Sequence, residues 1–276
     1  MCNARKNISS LFAAWAFLYA FFYIIGSTLP YYPELRFFYV IESRIVCTIS
    51  VIFFFYILST LYKPTPKESI IWFVFMLSLV ILYYKIFADY GIYGKIEYIL
   101  GNIILSIITL FMLFHLGALL SMAFRTPAMI VPVLLLTPII DIYSVFLGPT
   151  HTIVTKHPDI LKLFLFSFPL LSQKKLAPMI GLSDLTFISF LILFSEKQGY
   201  SIKKNIISIL ICLIMGYVLI YFTRGMPLFP FLCIAFFAVN YKELFKDKRY
   251  TKQVTIITAG VVITVTIFFA IYNYFI

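Results

Sequence analysis

The chain has 276 residues, of which 62% are hydrophobic and 12% charged, with a formal net charge of +11. Soluble domains carry about 25% charged residues, so this balance excludes an ordinary soluble protein and predicts an all-α, polytopic membrane protein. The basic residues lie mostly in short loops, which suits anionic membrane lipids. No RNA- or DNA-binding signature accompanies them, so no nucleic acid is expected as a partner.

In chain order, apolar runs of about 20 residues predict about nine transmembrane helices, over 8–29, 37–62, 70–88, 98–124, 128–147, 176–195, 205–222, 226–241 and 252–276. The opening MCNARKN is short and basic, and no small-residue cleavage site follows, so 8–29 reads as a retained first helix. Glu42 and Arg44 interrupt the second run, whose apolar core starts near Ile45. The patch ILKLFLFSFPLL (160–171) is broken by Lys162 and Pro169 and reads as interfacial or re-entrant. The runs lack the two-residue alternation of a barrel strand, and helices satisfy their own backbone groups.

The whole of 1–276 is expected to form one transmembrane domain. Residues 1–124 would supply the N-terminal helices, 128–241 the functional ones and 252–276 an extra C-terminal helix. Alternate loops carry 13 against 9 Lys and Arg residues, which puts the N-terminus in the cytoplasm and the 148–175 loop outside. The expected location is a microbial cell membrane, with the endoplasmic reticulum as the alternative.

Cys2, Cys47, Cys212 and Cys233 are scattered without a C-x-x-C pair and read as small apolar residues. His151 and His157 fall in one polar loop, and His115 reads as an interhelical hydrogen-bonding group. The H-E-x-x-H pattern of a zinc protease is absent, and no metal or cofactor is expected.

Among eleven acids, only Asp141 and Asp184 lie deep in apolar runs with no basic residue close in sequence. A carboxylate at mid-bilayer costs on the order of 3 kcal/mol. If both runs are helical from the loop that joins them, the two groups lie roughly 9 and 12 Å from one membrane face. Two carboxylates at one depth on neighbouring helices can share a proton. The ionised member then draws a proton from water while the protonated one polarises a carbonyl, which suits peptide hydrolysis. A proton-coupled transporter could use the same pair.

Three segments carry a resemblance. IDIYSV (140–145), GLSD (181–184) and PLFP (227–230) resemble, in order and approximate spacing, the first aspartate motif, the G-x-G-D motif and the P-A-L motif of the presenilin and signal peptide peptidase family. The likeness spans roughly 128–241. It implies a presenilin-like fold and an intramembrane aspartyl protease with Asp141 and Asp184 as the catalytic dyad. Gly181, Leu182 and Ser183 would support the second aspartate, and Pro227, Leu228 and Phe229 would position an unwound substrate. Transmembrane proteins or signal peptides would be the substrates.

There are departures. Ser183 replaces the second glycine, Ile140 stands where many members have tyrosine, and Phe229 widens the P-A-L pattern. The dyad falls on the fifth and sixth predicted helices, whereas the family uses the sixth and seventh. An inactive homologue is therefore one alternative, and a prepilin-peptidase-like aspartyl protease another. GLSD also reads as a rhomboid-type serine motif, but no histidine follows residue 157 to act as its base.

Overall fold

The computed structural model describes residues 2–90, 95–156, 164–173, 176–223 and 227–246, with five separate positions between 252 and 263. Most of the expected 252–276 helix, and His157, lie outside the described residues.

The apolar runs become helices: α1 (Cys2–Thr28), α2 (Arg36–Leu61), α3 (Pro66–Tyr90), α4 (Lys95–Ala123) and α5 (Val131–Phe146). A short α6 (Pro149–Lys156) follows, then strands β1 (Leu165–Pro169) and β2 (Leu176–Gly181). Helices α7 (Leu182–Gln198), α8 (Ile202–Thr223) and α9 (Phe229–Leu244) complete the order. Local chemistry sets several boundaries. The Thr65 N–H donates to Glu68 Oε2 at 2.8 Å and the Glu68 N–H returns to Thr65 Oγ1 at 3.3 Å, a reciprocal cap that starts α3. Proline opens the 3-10 turns ahead of α2 and α5, at Pro33 and Pro127, where a missing N–H costs no helical bond.

Among the described residues, six helices are long and apolar enough to cross a membrane: α1 to α5 and α8, with those 3-10 turns included for α2 and α5. Of the other expected spans, α7 has 17 residues and α9 has 16.

Two sequence expectations need correction. The 148–175 segment is not simply a loop with a re-entrant patch, because it contains α6 and β1. The run 176–195 is not helical throughout, because its first six residues form β2. The strands pair antiparallel from Leu165 opposite Gly181 to Pro169 opposite Leu176, with a bulge between Phe166 and Ser167. The all-α description therefore gains a two-stranded hairpin. The physical reason is proline. Pro169 and Pro178 lack amide donors and resist a helix interior, whereas a two-stranded sheet consists of edge strands that tolerate them.

The chain folds as two compact units. The first takes in 1–122 and 156–197, the second 123–155 and 198–276. In the first, Trp15 Nε1 donates to Ser106 Oγ at 3.0 Å, and Tyr19, Phe54, Phe55 and Phe168 are almost fully buried. Helix α7 forms much of this core, with nearly every residue from Leu185 to Ser195 buried. In the second unit, α9 packs against both α5 and α8. Asn240 Nδ2 donates to Asn205 Oδ1 at 2.6 Å, and Asn205 Nδ2 returns to Asn240 Oδ1 at 3.4 Å. This pair of buried amides joins α8 to α9.

Candidate functional site

Asp141 stands near the C-terminal end of α5, in the second unit. The carbonyl end of a helix disfavours a carboxylate. The offset comes from α9, whose own flanking residues supply no side-chain cap. The Phe229 N–H donates to Asp141 Oδ2 at 3.0 Å. The rest of that first turn is accounted for: Pro230 has no N–H, and Phe231 and Leu232 donate to the Leu228 carbonyl. Asp141 thus caps a helix 88 residues away in sequence and meets its positive end.

The same face of α5 is tied to α9 again. Thr137 Oγ1 lies 3.4 Å from Cys233 Sγ and donates to the Val133 carbonyl at 2.6 Å. Pro138, inside α5, interrupts the backbone ladder one turn before Asp141. Beside these residues, an apolar cavity of about 360 Å³ opens between α5 and α9, with Leu134, Pro138, Pro230 and Phe237 in its wall. Pro227 and Leu228 are buried, and Phe229 is half-buried.

Asp184 belongs to the first unit and occupies the first turn of α7. The sequence reading placed it well inside a helix. Its depth of roughly 12 Å assumed the helical rise of 1.5 Å per residue, whereas β2 advances about 3.3 Å per residue. That depth argument does not stand. Gly181, at the end of β2, lies against the Asp184 side chain. A Cβ on Gly181 would come within 2.7 Å of Asp184 Oδ2. The glycine therefore clears the space the carboxylate fills. Ser183 is exposed, and Gly181, Leu182 and Asp184 are half-buried.

Helix α7 is held firmly behind this turn. A Cβ on Gly117 of α4 would meet Ser189 Oγ at 2.5 Å and the Phe190 amide nitrogen at 2.8 Å, so the two helices approach at backbone contact. At the far end of α7, Lys197 Nζ donates to the Ser121 carbonyl at 3.0 Å and to that of Met122 at 3.4 Å. Glu196 pairs with Lys63 at 3.0 Å.

The fold therefore brings Asp141 together with Phe229 of PLFP, and Asp184 together with Gly181 of GLSD. His115 is fully buried on α4, its Nδ1 3.4 Å from Ser69 Oγ of α3. Among the described residues no group of three or more His, Cys, Asp and Glu could hold a metal. Sequence reasoning missed the Asn205–Asn240 pair, whose signal was two amides in otherwise apolar runs.

No family model matches the chain, and neither the curated proteins nor the solved structures give a match.

Proposed function

We propose that this chain is an intramembrane aspartyl protease with a presenilin-like arrangement of about nine transmembrane helices. Asp141 and Asp184 form its dyad and hydrolyse peptide bonds of transmembrane segments or signal peptides with water. The observation that carries this reading is the hydrogen bond from the Phe229 N–H to Asp141. It joins the first aspartate motif to PLFP, the two segments that the resemblance pairs in function. The fit of Gly181 against Asp184 supports the role of GLSD. The cavity beside Pro138 and Pro230 offers apolar room next to the first carboxylate. An unwound stretch of substrate pairs with an edge of the β1–β2 hairpin by strand addition.

The test is cleavage of a reporter transmembrane substrate in liposomes by the wild type, Asp141→Ala and Asp184→Ala. Both changes should abolish cleavage. Cleavage that survives either one removes the dyad. Proton-driven uptake of a solute, without cleavage and lost in the same variants, would replace the protease with a transporter.

A further inference from the structure

A second cavity, of about 520 Å³, lies within the first unit, between the N-terminal half of α2 and the turn of the hairpin. Arg36, Arg44 and Gln173 line it, with Tyr31 at its margin and Val40 and Met179 in its apolar wall. Arg36 and Arg44 are eight residues apart on α2, a rise of about 12 Å, and Val40 lies between them. No carboxylate lines the space. Glu34 and Glu42, the acids nearest in sequence, are exposed and form no part of the lining.

The walls are built. The Leu171 N–H donates to Ser43 Oγ at 3.0 Å, and Ser43 Oγ donates to the Tyr39 carbonyl at 2.7 Å. This fixes the hairpin turn on α2. On the other side, a Cβ on Gly26 would meet the Leu170 carbonyl oxygen at 2.8 Å, so α1 lies tight against the same turn. Tyr39 Oη reaches the Pro30 carbonyl at 3.3 Å and braces the α1–α2 connection.

The chemistry is asymmetric: two guanidiniums and an amide on one side, aliphatic and thioether groups on the other. Arg44 lies within a segment apolar enough to span a membrane, where an uncompensated cation is costly. A guanidinium is also the side chain best matched to a phosphate oxygen pair. We propose that this cavity binds a phosphate anion, supplied in the membrane by the headgroup of an anionic phospholipid, through Arg36 and Arg44. The apolar wall receives the upper part of the acyl chains. This proposal is independent of the aspartate chemistry.

The experiment uses the full chain in a neutral detergent, with bound lipid counted by native mass spectrometry. Phosphatidylglycerol, phosphatidylcholine with the same acyl chains, and inorganic phosphate are the probes. Wild type should hold phosphatidylglycerol about 30-fold more tightly than the Arg36→Gln/Arg44→Gln variant, the effect of two cations facing an anionic headgroup. Phosphatidylcholine should bind both proteins alike. Displacement of the lipid by inorganic phosphate would locate recognition in the anion itself. Phosphate bound without phosphatidylglycerol would make a free anion the ligand and overturn the lipid assignment. Arg36→Gln alone, at an exposed position, and the charge-keeping Arg36→Lys/Arg44→Lys variant guard against a folding defect. Equal phosphatidylglycerol binding by the wild type and all folded glutamine variants overturns the proposal.

Discussion

Asp141 and Asp184 both lie at a helix N-terminus, but they reach it by different routes. Asp141 sits at the unfavourable end of α5 and reaches across to the first turn of α9. Its surroundings depend on two helices packing correctly. Asp184 sits in the first turn of its own helix, in space that Gly181 leaves open. Its surroundings depend on the local strand-to-helix junction. One carboxylate is therefore placed by tertiary structure and the other by a short stretch of backbone. Changes of different kinds should disturb each.

The largest effect should come from the carboxylates themselves. Asp141→Ala and Asp184→Ala should each lower cleavage of a reporter substrate by about 10³-fold or more, within the range for loss of a general acid or base. Equal losses would mean that the two groups act as one unit despite their different supports. A loss at only one would break the comparison.

Gly181→Ala should rank next. Its Cβ would push on the end of the Asp184 side chain, not on backbone. Activity should fall about 10²-fold, the effect of misplacing a reacting group by about 1 Å, with thermal stability nearly kept. Gly117→Ala is the contrast, since its Cβ would strike the amide nitrogen of Phe190. That overpacking should cost roughly 1–3 kcal/mol of stability, read by denaturant or thermal unfolding. If Gly181→Ala unfolds the chain instead, the junction is structural and Asp184 merely adapts to it.

Asp141 can be probed through stability as well. Asp141→Asn keeps an acceptor for the Phe229 N–H, and Asp141→Ala does not. The alanine variant should be less stable than the asparagine variant by about 1–2 kcal/mol, while both lose cleavage. Matching stabilities would show that the hydrogen bond across to α9 contributes little to holding the helices.

Much of the helical architecture was legible because a membrane segment declares itself by unbroken apolarity. The runs at 37–62 and 98–124 correspond closely to α2 and α4. The hairpin was not legible for the same reason. LFSFP and LAPMIG are as apolar as the helices around them, and apolarity does not distinguish a strand from a short helix. Pro169 and Pro178 were the available signal, and reading them as breaks in a helix missed the strands. Asp141 and Asp184 stood out by their lack of basic neighbours, but sequence could not show what each touches. The bond to Phe229 spans 88 residues, and no local pattern encodes it. The contact at Gly181 is local, so GLSD did suggest it.

The smallest expected effect tests how far the tertiary route extends. The Asn205–Asn240 pair joins α8 to α9 near the end of α9 remote from Phe229. Asn240→Leu would leave the Asn205 amide short of its partner. Polar contacts between membrane helices average about 0.6 kcal/mol, because the separated groups find other partners, so the global loss should be of that size. Asn205→Leu/Asn240→Leu, which removes both amides, should recover most of it. The local readout is more informative. If α9 holds Asp141 as a rigid element, Asn240→Leu should speed amide hydrogen exchange at Phe229 and Phe231 and leave 185–190 of α7 unchanged. Faster exchange in α7 as well would mean that the two aspartates do not rest on separate supports, and the contrast between them would fail.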